Sequence, residues 1–339
     1  MAMRWGIIGL GDIAERHGVP ALALARDTEL VAVLSRSMEK AQAFAAKHGV
    51  ARAYDSLEKM LADKELDAIY IATPNNLHAD QTVAAARAGK HVLCEKPMAI
   101  TEPDCERMIQ ACDAHKVKLG VVFHNRYSPA HQEARRHVQA GVLGEIQLVR
   151  AQLCVGYRGR RWQGWRNDPA AAGSGAIAAQ GVHPVDLLRF LMDSEVVEVR
   201  SMIDELPPER PVDDMVYSLL KFKNGAHGIV VAGILIPFPD NDVSLYGSKG
   251  KIICRGTLGT PVKGVRREVV VAGNFPEIRT EFPPESAQQI NMARLIEDFN
   301  QSILEDTEPP LSGRNGLQMV KIANAMLESG RHGKAVRLD

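Results

Sequence analysis

The chain predicts an α/β fold in two parts: an N-terminal doubly wound parallel sheet, then an α+β domain built on a large, mostly antiparallel open sheet. Three observations predict it. As far as residue 123, short apolar runs alternate with helical stretches, the pattern of successive βαβ units. The first run feeds straight into the glycine turn Gly9-Leu10-Gly11. Beyond residue 124 the chain becomes β-rich and is punctuated by hairpin turns, which suits antiparallel pairing. At 339 residues it is long for one domain and comfortable for two, so we place the doubly wound domain at 1–123 and a second domain at 124–339.

The N-terminal strands are read at Arg4–Gly9, Leu30–Leu34, Ala68–Ala72, His91–Cys94 and Lys118–Phe123. Helices fall between them at Asp12–Ala25, interrupted near Gly18 and Pro20, then at Met38–His48, Ser56–Ala62 and His78–Ala88. Gly49 and Gly89 sit just past helix ends, where glycine accepts the left-handed conformation cheaply. Thr101-Glu102-Pro103-Asp104 is a capped start for a helix to His115. A helix at Pro129–Ala140 opens the second domain. Strands follow at Ile146–Val155, Val212–Phe222, His227–Ile236, Val243–Tyr246, Lys251–Arg255 and Glu268–Val271. Asn224-Gly225 and Ser248-Lys249-Gly250 mark hairpins, and helices at Gln288–Leu304 and Asn315–Gly330 close the chain.

Charge is balanced at 41 basic and 41 acidic residues, which gives no electrostatic argument for nucleic acid or a membrane surface. The expected partner is a small molecule. Five cysteines, an odd count without C-x-x-C spacing, suggest neither a zinc site nor a disulfide framework, and no metal is expected. A reducing cytoplasm fits, as does an N-terminus running directly into a strand with no signal region. No stretch reaches the ~18 apolar residues of a membrane span.

Gly9-Leu10-Gly11-Asp12-Ile13-Ala14 has the form G-x-G-x-x-A between a strand and a helix. The first glycine permits the tight turn, and the second lets backbone approach a pyrophosphate. A small third residue packs helix on strand, while the helix N-terminus favours negative charge. Gly9, Gly11, Asp12 and Ile13 therefore belong to a dinucleotide site. NAD-specific domains usually end the second strand with an acid for the ribose 2′-hydroxyl. Here Leu34 is followed by Ser35 and Arg36, which with Lys40 could hold a 2′-phosphate, so NADP is expected over NAD. Otherwise Arg36 and Lys40 are a solvated loop residue and a first-turn helix residue. Thr73, Pro74, Asn75, Asn76 and His78 follow the third predicted strand at the same crevice. They could contact cofactor or simply cap a helix through Asn75 or Asn76.

Lys96, in Glu95-Lys96-Pro97, follows the fourth predicted strand and is the candidate acid/base beside a nicotinamide. Glu95 could orient it or bind ribose, and Pro97 would fix the turn. A second cluster runs from Ala172-Gly173-Ser174-Gly175 into a helix bearing His183 and, three residues on, Asp186. His183 could bind a substrate hydroxyl, with Asp186 fixing its tautomer. Asp186 could equally pair with Arg189.

The glycine opening, Thr73 to His78, the run Ala88-Gly89-Lys90-His91-Val92-Leu93-Cys94-Glu95-Lys96-Pro97 and the small-residue lead into His183 together resemble the Gfo/Idh/MocA oxidoreductase family over nearly the whole chain. The resemblance implies a Rossmann domain and a second domain whose open sheet mediates homodimers or homotetramers. It implies hydride exchange on a sugar, anhydrosugar or cyclitol, with Lys96 and His183 acting on the substrate and Glu95, Lys96, Trp165 and Arg166 near the cofactor. Asn125 joins the cofactor set; Arg126, Tyr157 and Trp162 join Lys96 and His183 in the substrate set. The family usually carries Asp four residues before the histidine, and this chain has Ala179. Three readings follow: a Lys96-His183 dyad, a different substrate or another carboxylate such as Asp168, or a cofactor-binding sensor that has lost catalysis.

Overall fold

The computed structural model describes residues 2–156, 163–204, 211–259, 265–283 and 287–338. Its first sheet holds β1 (Met3–Ile8), β2 (Thr28–Leu34), β3 (Arg52–Tyr54), β4 (Ala68–Ile71), β5 (His91–Cys94) and β6 (Leu119–Val121). All pairs are parallel, in the order β3-β2-β1-β4-β5-β6. The order reverses between β1 and β4, so the crevice outside their carboxyl ends is where an open α/β sheet holds a ligand. Helices α1 (Val19–Leu24), α2 (Met38–His48), α3 (Leu57–Leu61), α4 (His78–Arg87) and α5 (Glu102–Ala114) connect the strands. The caps follow the local chemistry: Ser37 Oγ accepts from Lys40 N at 3.2 Å, and Thr101 Oγ1 from Asp104 N at 3.2 Å. The predicted interruption near Gly18 and Pro20 is a π turn, Ala14–Gly18, inside one helical run from 12 to 24. Pro20 lacks the amide hydrogen that an α-helix would direct to the carbonyl of Arg16.

The strand β3 has no counterpart among the strands expected from the sequence. It has three residues, all half-buried, too few to carry a period. The segment Gln289–Val320 also returns to the first unit, so packing divides the chain into Met1–Val122 with Gln289–Val320 and Phe123–Gln288 with Lys321–Asp339. The cause lies in α9 (Ala287–Leu304), whose buried Phe299 meets the fully buried Trp5 at a ring-centroid distance of 5.7 Å. Gly120 of β6 admits this ring, since a Cβ there would lie 2.8 Å from Phe299. An apolar helical face shows in a sequence that it is buried, but not against which strand.

The second unit contains α6 (Pro129–Gln139), α7 (Pro169–Ala172), α8 (Val182–Met192) and a nine-stranded sheet. Its strands are β7 (Ile146–Cys154), β8 (Val196–Ile203), β9 (Met215–Phe222), β10 (His227–Gly233), β11 (Val243–Gly247), β12 (Gly250–Arg255), β13 (Glu268–Gly273), β14 (Phe275–Glu281) and β15 (Val336–Arg337). The order is β14-β13-β12-β11-β7-β10-β9-β8-β15, antiparallel throughout except for β7 with β10. The Asn224-Gly225 hairpin joins β9 to β10, with Gly225 at φ +89°. One face of the sheet is buried. On the other, Met202 opposes Tyr217 and Leu219 opposes Ile229 in register, and all four side chains are exposed. The last helix, α10 (Gly313–His332), begins in the first unit and ends in the second. Among the described residues no helix is long and apolar enough to cross a membrane.

If burial rather than charge ties α9 to the first sheet, Phe299→Ala should lower the unfolding free energy by about 3–5 kcal/mol. Glu297→Ala removes an ion pair to Arg26, whose side chain is 83% exposed, and should cost less than about 1 kcal/mol. Urea denaturation of the two variants measures both; equal losses would assign the anchoring to the ion pair.

Candidate active site

In the first unit the turn after β1 is shaped for backbone contact. Gly9 has φ +95°, and a Cβ there would lie 2.7 Å from the Ala72 carbonyl oxygen, so no side chain fits. Its N–H donates to Leu34 O at 3.1 Å. Gly11 is exposed, and a Cβ there would meet nothing within 4 Å, which leaves room for a pyrophosphate against the chain. Asp12 pairs with Arg16 at 2.7 Å, Ile13 is half-buried, and Ala14 is fully buried against the sheet. These residues fit a dinucleotide at the start of the helical run from 12 to 24. At the end of β2, Ser35 is half-buried and its Oγ accepts from Ser37 N at 3.4 Å. Arg36 and Lys40 are exposed, and no carboxylate stands at residues 35–37.

The loop after β4 and the turn after β5 are fastened to each other. His78 is completely buried, with Nδ1 3.0 Å from Pro97 O and Nε2 2.9 Å from Thr73 O. Burial lowers its pKa, against three backbone carbonyls that raise it. The expected cofactor contact at His78 is thus revised: the side chain braces two loops and faces neither crevice nor solvent. Thr73 Oγ1 donates to Gln81 Oε1 at 2.6 Å, Pro74 is half-buried, Asn75 is buried and Asn76 is exposed. Neither asparagine caps α4, which starts from a 3₁₀ turn, Asn75–Leu77. On the other side, Tyr70 donates its hydroxyl to Glu95 Oε1 at 2.7 Å, and Glu95 Oε2 accepts from Lys96 N at 3.2 Å. Burial raises the Glu95 carboxyl, and the Lys96 charge and the Tyr70 hydroxyl oppose it. Burial, then Glu95, pushes the Tyr70 phenol well above its ordinary value. Lys96 is half-buried, and the Lys96-Pro97 peptide is cis.

Two residues of this cluster escape sequence reasoning. Tyr70 reads as one more apolar residue of a strand. Gly18 makes space for it, since a Cβ there would lie 2.5 Å from the Tyr70 ring. His17, in the same π turn, has its pKa lowered by burial first, with Asp12 opposing and the charges of Arg16 and Lys96 adding. The only signal for it is the broken helical pattern at Gly18 and Pro20.

In the second unit, the turn His124–Tyr127 meets α8. Arg126 grips Asp186 with two bonds, Nε to Oδ2 at 2.8 Å and Nη2 to Oδ1 at 2.5 Å. Burial disfavours the charge on Arg126, but Asp186 outweighs it and raises the pKa. Both oxygens of Asp186, the expected partner of His183, are thus bonded by Arg126, whose side chain is 12% exposed. Arg189 lies 3.8 Å from Asp186 but makes its closer pair with Glu195 at 2.7 Å. Asn125 sets its Nδ2 3.3 Å from Nδ1 of the His183 ring. Both are buried. The His124 ring stands edge-on to His183 at 5.5 Å.

Ala179 lies in a second π turn, Ile177–Gly181, directly before α8. Asp213 organises the small residues leading into it, accepting from Gly175 N at 2.8 Å and Ile177 N at 2.7 Å. Burial raises its pKa against these bonds. Nothing in the sequence singles it out. Asp168 caps α7 through Ala170 N at 2.9 Å, and the Arg166 guanidinium lies over the Trp165 ring at 4.6 Å. Tyr157 and Trp162, with the arginines between them, fall outside the described residues.

Residues 3–123 match the family model for the Gfo/Idh/MocA oxidoreductase family, NAD-binding Rossmann fold, and residues 131–253 match that for the GFO/IDH/MocA C-terminal domain. The 1,5-anhydro-D-fructose reductase of Ensifer adhaerens is 29% identical over 337 residues, 99% of this chain and 98% of its own. The trans-1,2-dihydrobenzene-1,2-diol dehydrogenase of Mus musculus is 30% identical over 289 residues, 84% of this chain and 81% of its own. Among solved structures, levoglucosan dehydrogenase in complex with NADH and levoglucosan aligns over 99% of each chain, with a TM-score of 0.89 and 25% identity.

Removing one partner of a buried ion pair strands the other charge. Asp186→Ala should therefore destabilise the protein by about 3–5 kcal/mol, and the paired change Arg126→Met with Asp186→Leu should cost less than Asp186→Ala alone. Chemical denaturation of the three proteins checks the ranking; a double variant weaker than the single would remove the burial argument.

Proposed function

The chain belongs to the Gfo/Idh/MocA oxidoreductase family, and from that premise we propose that it is an NADP-preferring enzyme of sugar chemistry. It interconverts an alcohol with a ketone or aldehyde on a sugar, anhydrosugar or cyclitol. The observation that carries the reading is the Glu95-Lys96-Pro97 turn, held at both ends by buried side chains at the carboxyl end of β5. A lysine held in place there beside a dinucleotide crevice is suited to moving a proton on and off a reacting oxygen.

The nicotinamide supplies the hydride chemistry when bound. The turn at Gly9 and Gly11 receives the pyrophosphate, with Asp12 and Ile13 opening the helical run, while Ser35, Arg36 and Lys40 take a 2′-phosphate. Absence of an acid at the end of β2 supports this preference, because a carboxylate there would repel a phosphate. Thr73, Pro74, Asn75 and Asn76 line the pyrophosphate side and Trp165 and Arg166 the nicotinamide end. In the oxidative direction the substrate C–H bond gives up its hydride, and the hydroxyl proton passes to the neutral amine of Lys96. In the reductive direction the ammonium returns it. His183 holds the reacting oxygen. Five free, buried cysteines support a reducing cytoplasm as the setting.

A second reading, a cofactor-binding sensor, is favoured by Ala179, where the family usually has Asp. Turnover with NADPH and NADH against ketoses, anhydrosugars, inosones and diketones separates the two. Activity should favour NADPH, Arg36→Ala should erode that preference, and Lys96→Ala should lower kcat by about 10²–10⁴-fold. Tight cofactor binding with no turnover on any substrate would establish the sensor, and activity appearing only in Ala179→Asp would overturn the dyad.

The exposed apolar face of β8, β9 and β10 supports a second copy of the chain as partner, giving a homodimer or homotetramer. Light scattering should show an oligomer that Leu219→Glu reduces to a monomer; an unchanged mass would place the interface elsewhere.

A further inference from the structure

The geometry points to Asn125 as a positioning residue that fixes His183 in the tautomer bearing its proton on Nε2. The side-chain amide nitrogen of Asn125, 3.3 Å from His183 Nδ1, can only donate. The ring nitrogen it faces must therefore be an acceptor, without a proton. In a neutral imidazole the proton then resides on Nε2, which becomes a hydrogen-bond donor. Asn125 is 5% exposed and His183 8%, so water does not readily substitute for either partner.

The asparagine is itself held by a chain of bonds whose direction can be worked out. His131, fully buried, sets Nδ1 at 2.7 Å from the backbone oxygen of Asn125. A carbonyl only accepts, so this nitrogen carries the proton. Burial pushes the His131 pKa down to about 4, so the ring is neutral and its Nε2 is an acceptor. Thr257 Oγ1, at 3.0 Å, must then donate to it, and the alternative acceptor for that hydroxyl, Cys254 O, lies farther off at 3.2 Å. Donation thus runs from Thr257 to His131, from His131 to the Asn125 backbone, and from the Asn125 amide to His183. The edge of His124 restrains the ring from a different side.

The consequence for chemistry rests on the proposed function. A His183 with Nε2–H offers a neutral hydrogen bond to a developing alkoxide or to a carbonyl oxygen, and proton transfer is left to Lys96. A carboxylate in the place of Asn125 would do the opposite. It would demand a proton on Nδ1, leave Nε2 as an acceptor in the neutral ring, and stabilise the imidazolium.

The tautomer can be read without turnover. Ring ¹H–¹⁵N correlation spectra of the ¹⁵N-histidine-labelled full-length protein, recorded where His183 is neutral and assigned by its loss in His183→Gln, should show a pyrrole-like Nε2 and a pyridine-like Nδ1. A pyrrole-like Nδ1, the outcome if the Asn125 amide presents Oδ1 instead, overturns the proposal. Asn125→Asp should move the proton to Nδ1 and lower kcat by about 10²–10³-fold, the scale of losing one oxyanion donor, with a smaller change in KM. A spectrum unaltered by that substitution overturns the assignment to Asn125. A protein with the Nε2–H tautomer and no turnover on any substrate would leave the tautomer assignment standing and remove the oxidoreductase reading.

Discussion

The first unit depends on the fastening of one three-residue turn. Lys96 sits between two neighbours that are each held by a buried side chain from β4 or the start of α4: Glu95 by the Tyr70 hydroxyl and Pro97 by the His78 ring. Neither contact is cheap to break. A buried donor or acceptor that loses its partner bears the desolvation cost without compensation, about 1–3 kcal/mol for each neutral group. The constraint propagates backwards into the glycine helix, because Tyr70 can reach Glu95 only where Gly18 leaves the ring space. The π turn that accommodates Pro20 is therefore tied, through one phenol, to the setting of the lysine. His78 also spans from Thr73 to Pro97, so a shift in the loop after β4 is transmitted to the turn after β5.

The second unit resolves its charges differently. Asp186 is buried, Arg126 is half-buried, and the two form a bidentate pair, with the Arg126 and Arg135 guanidiniums lying at 5.3 and 4.1 Å from the Phe190 ring. A pair so enclosed satisfies itself. Its value is geometric, since it fixes the turn bearing Asn125 to the helix bearing His183. The side chain that this turn sets on the Nδ1 edge of His183 is a neutral amide.

Local chemistry made much of this legible. The glycine turn, the cap at Thr101 and the hairpin at Asn224-Gly225 each need particular residues at particular positions, and each forms where those residues stand. What the sequence does not display is partnership over distance. His183 and Asp186 share a helical face at i,i+3, which suggested a pair, but the stronger partner for Asp186 lies sixty residues earlier at Arg126. Strand β8 went unread because the turn before it uses Asp193, at φ +49°, where a glycine would have marked the helix end. Strand β14 contains Pro276, which argues against a strand in general yet is tolerated at the edge of a sheet, where β14 lies. The return of Gln289–Val320 to the first unit has no local signature at all.

The position of Ala179 gains its meaning from the carboxylates around it. Three acids in this part of the chain could in principle replace the missing Asp. Asp168 has an oxygen bound to the amide of Ala170 at the start of α7, Asp186 is gripped by Arg126, and both oxygens of Asp213 receive backbone amides from the segment before the π turn. Moving Asp186 or Asp213 toward a substrate would leave an enclosed guanidinium or buried N–H groups without a partner, whereas Asp168 and the amide it caps are exposed. The triad is thus not rebuilt from Asp186 or Asp213. In the proposed reaction of Lys96 and His183, the proton on the histidine is then set by a group other than Asp186 or Asp213. A donating amide meets that requirement, since it calls for an Nδ1 without a proton and leaves the proposed acid–base work to the lysine.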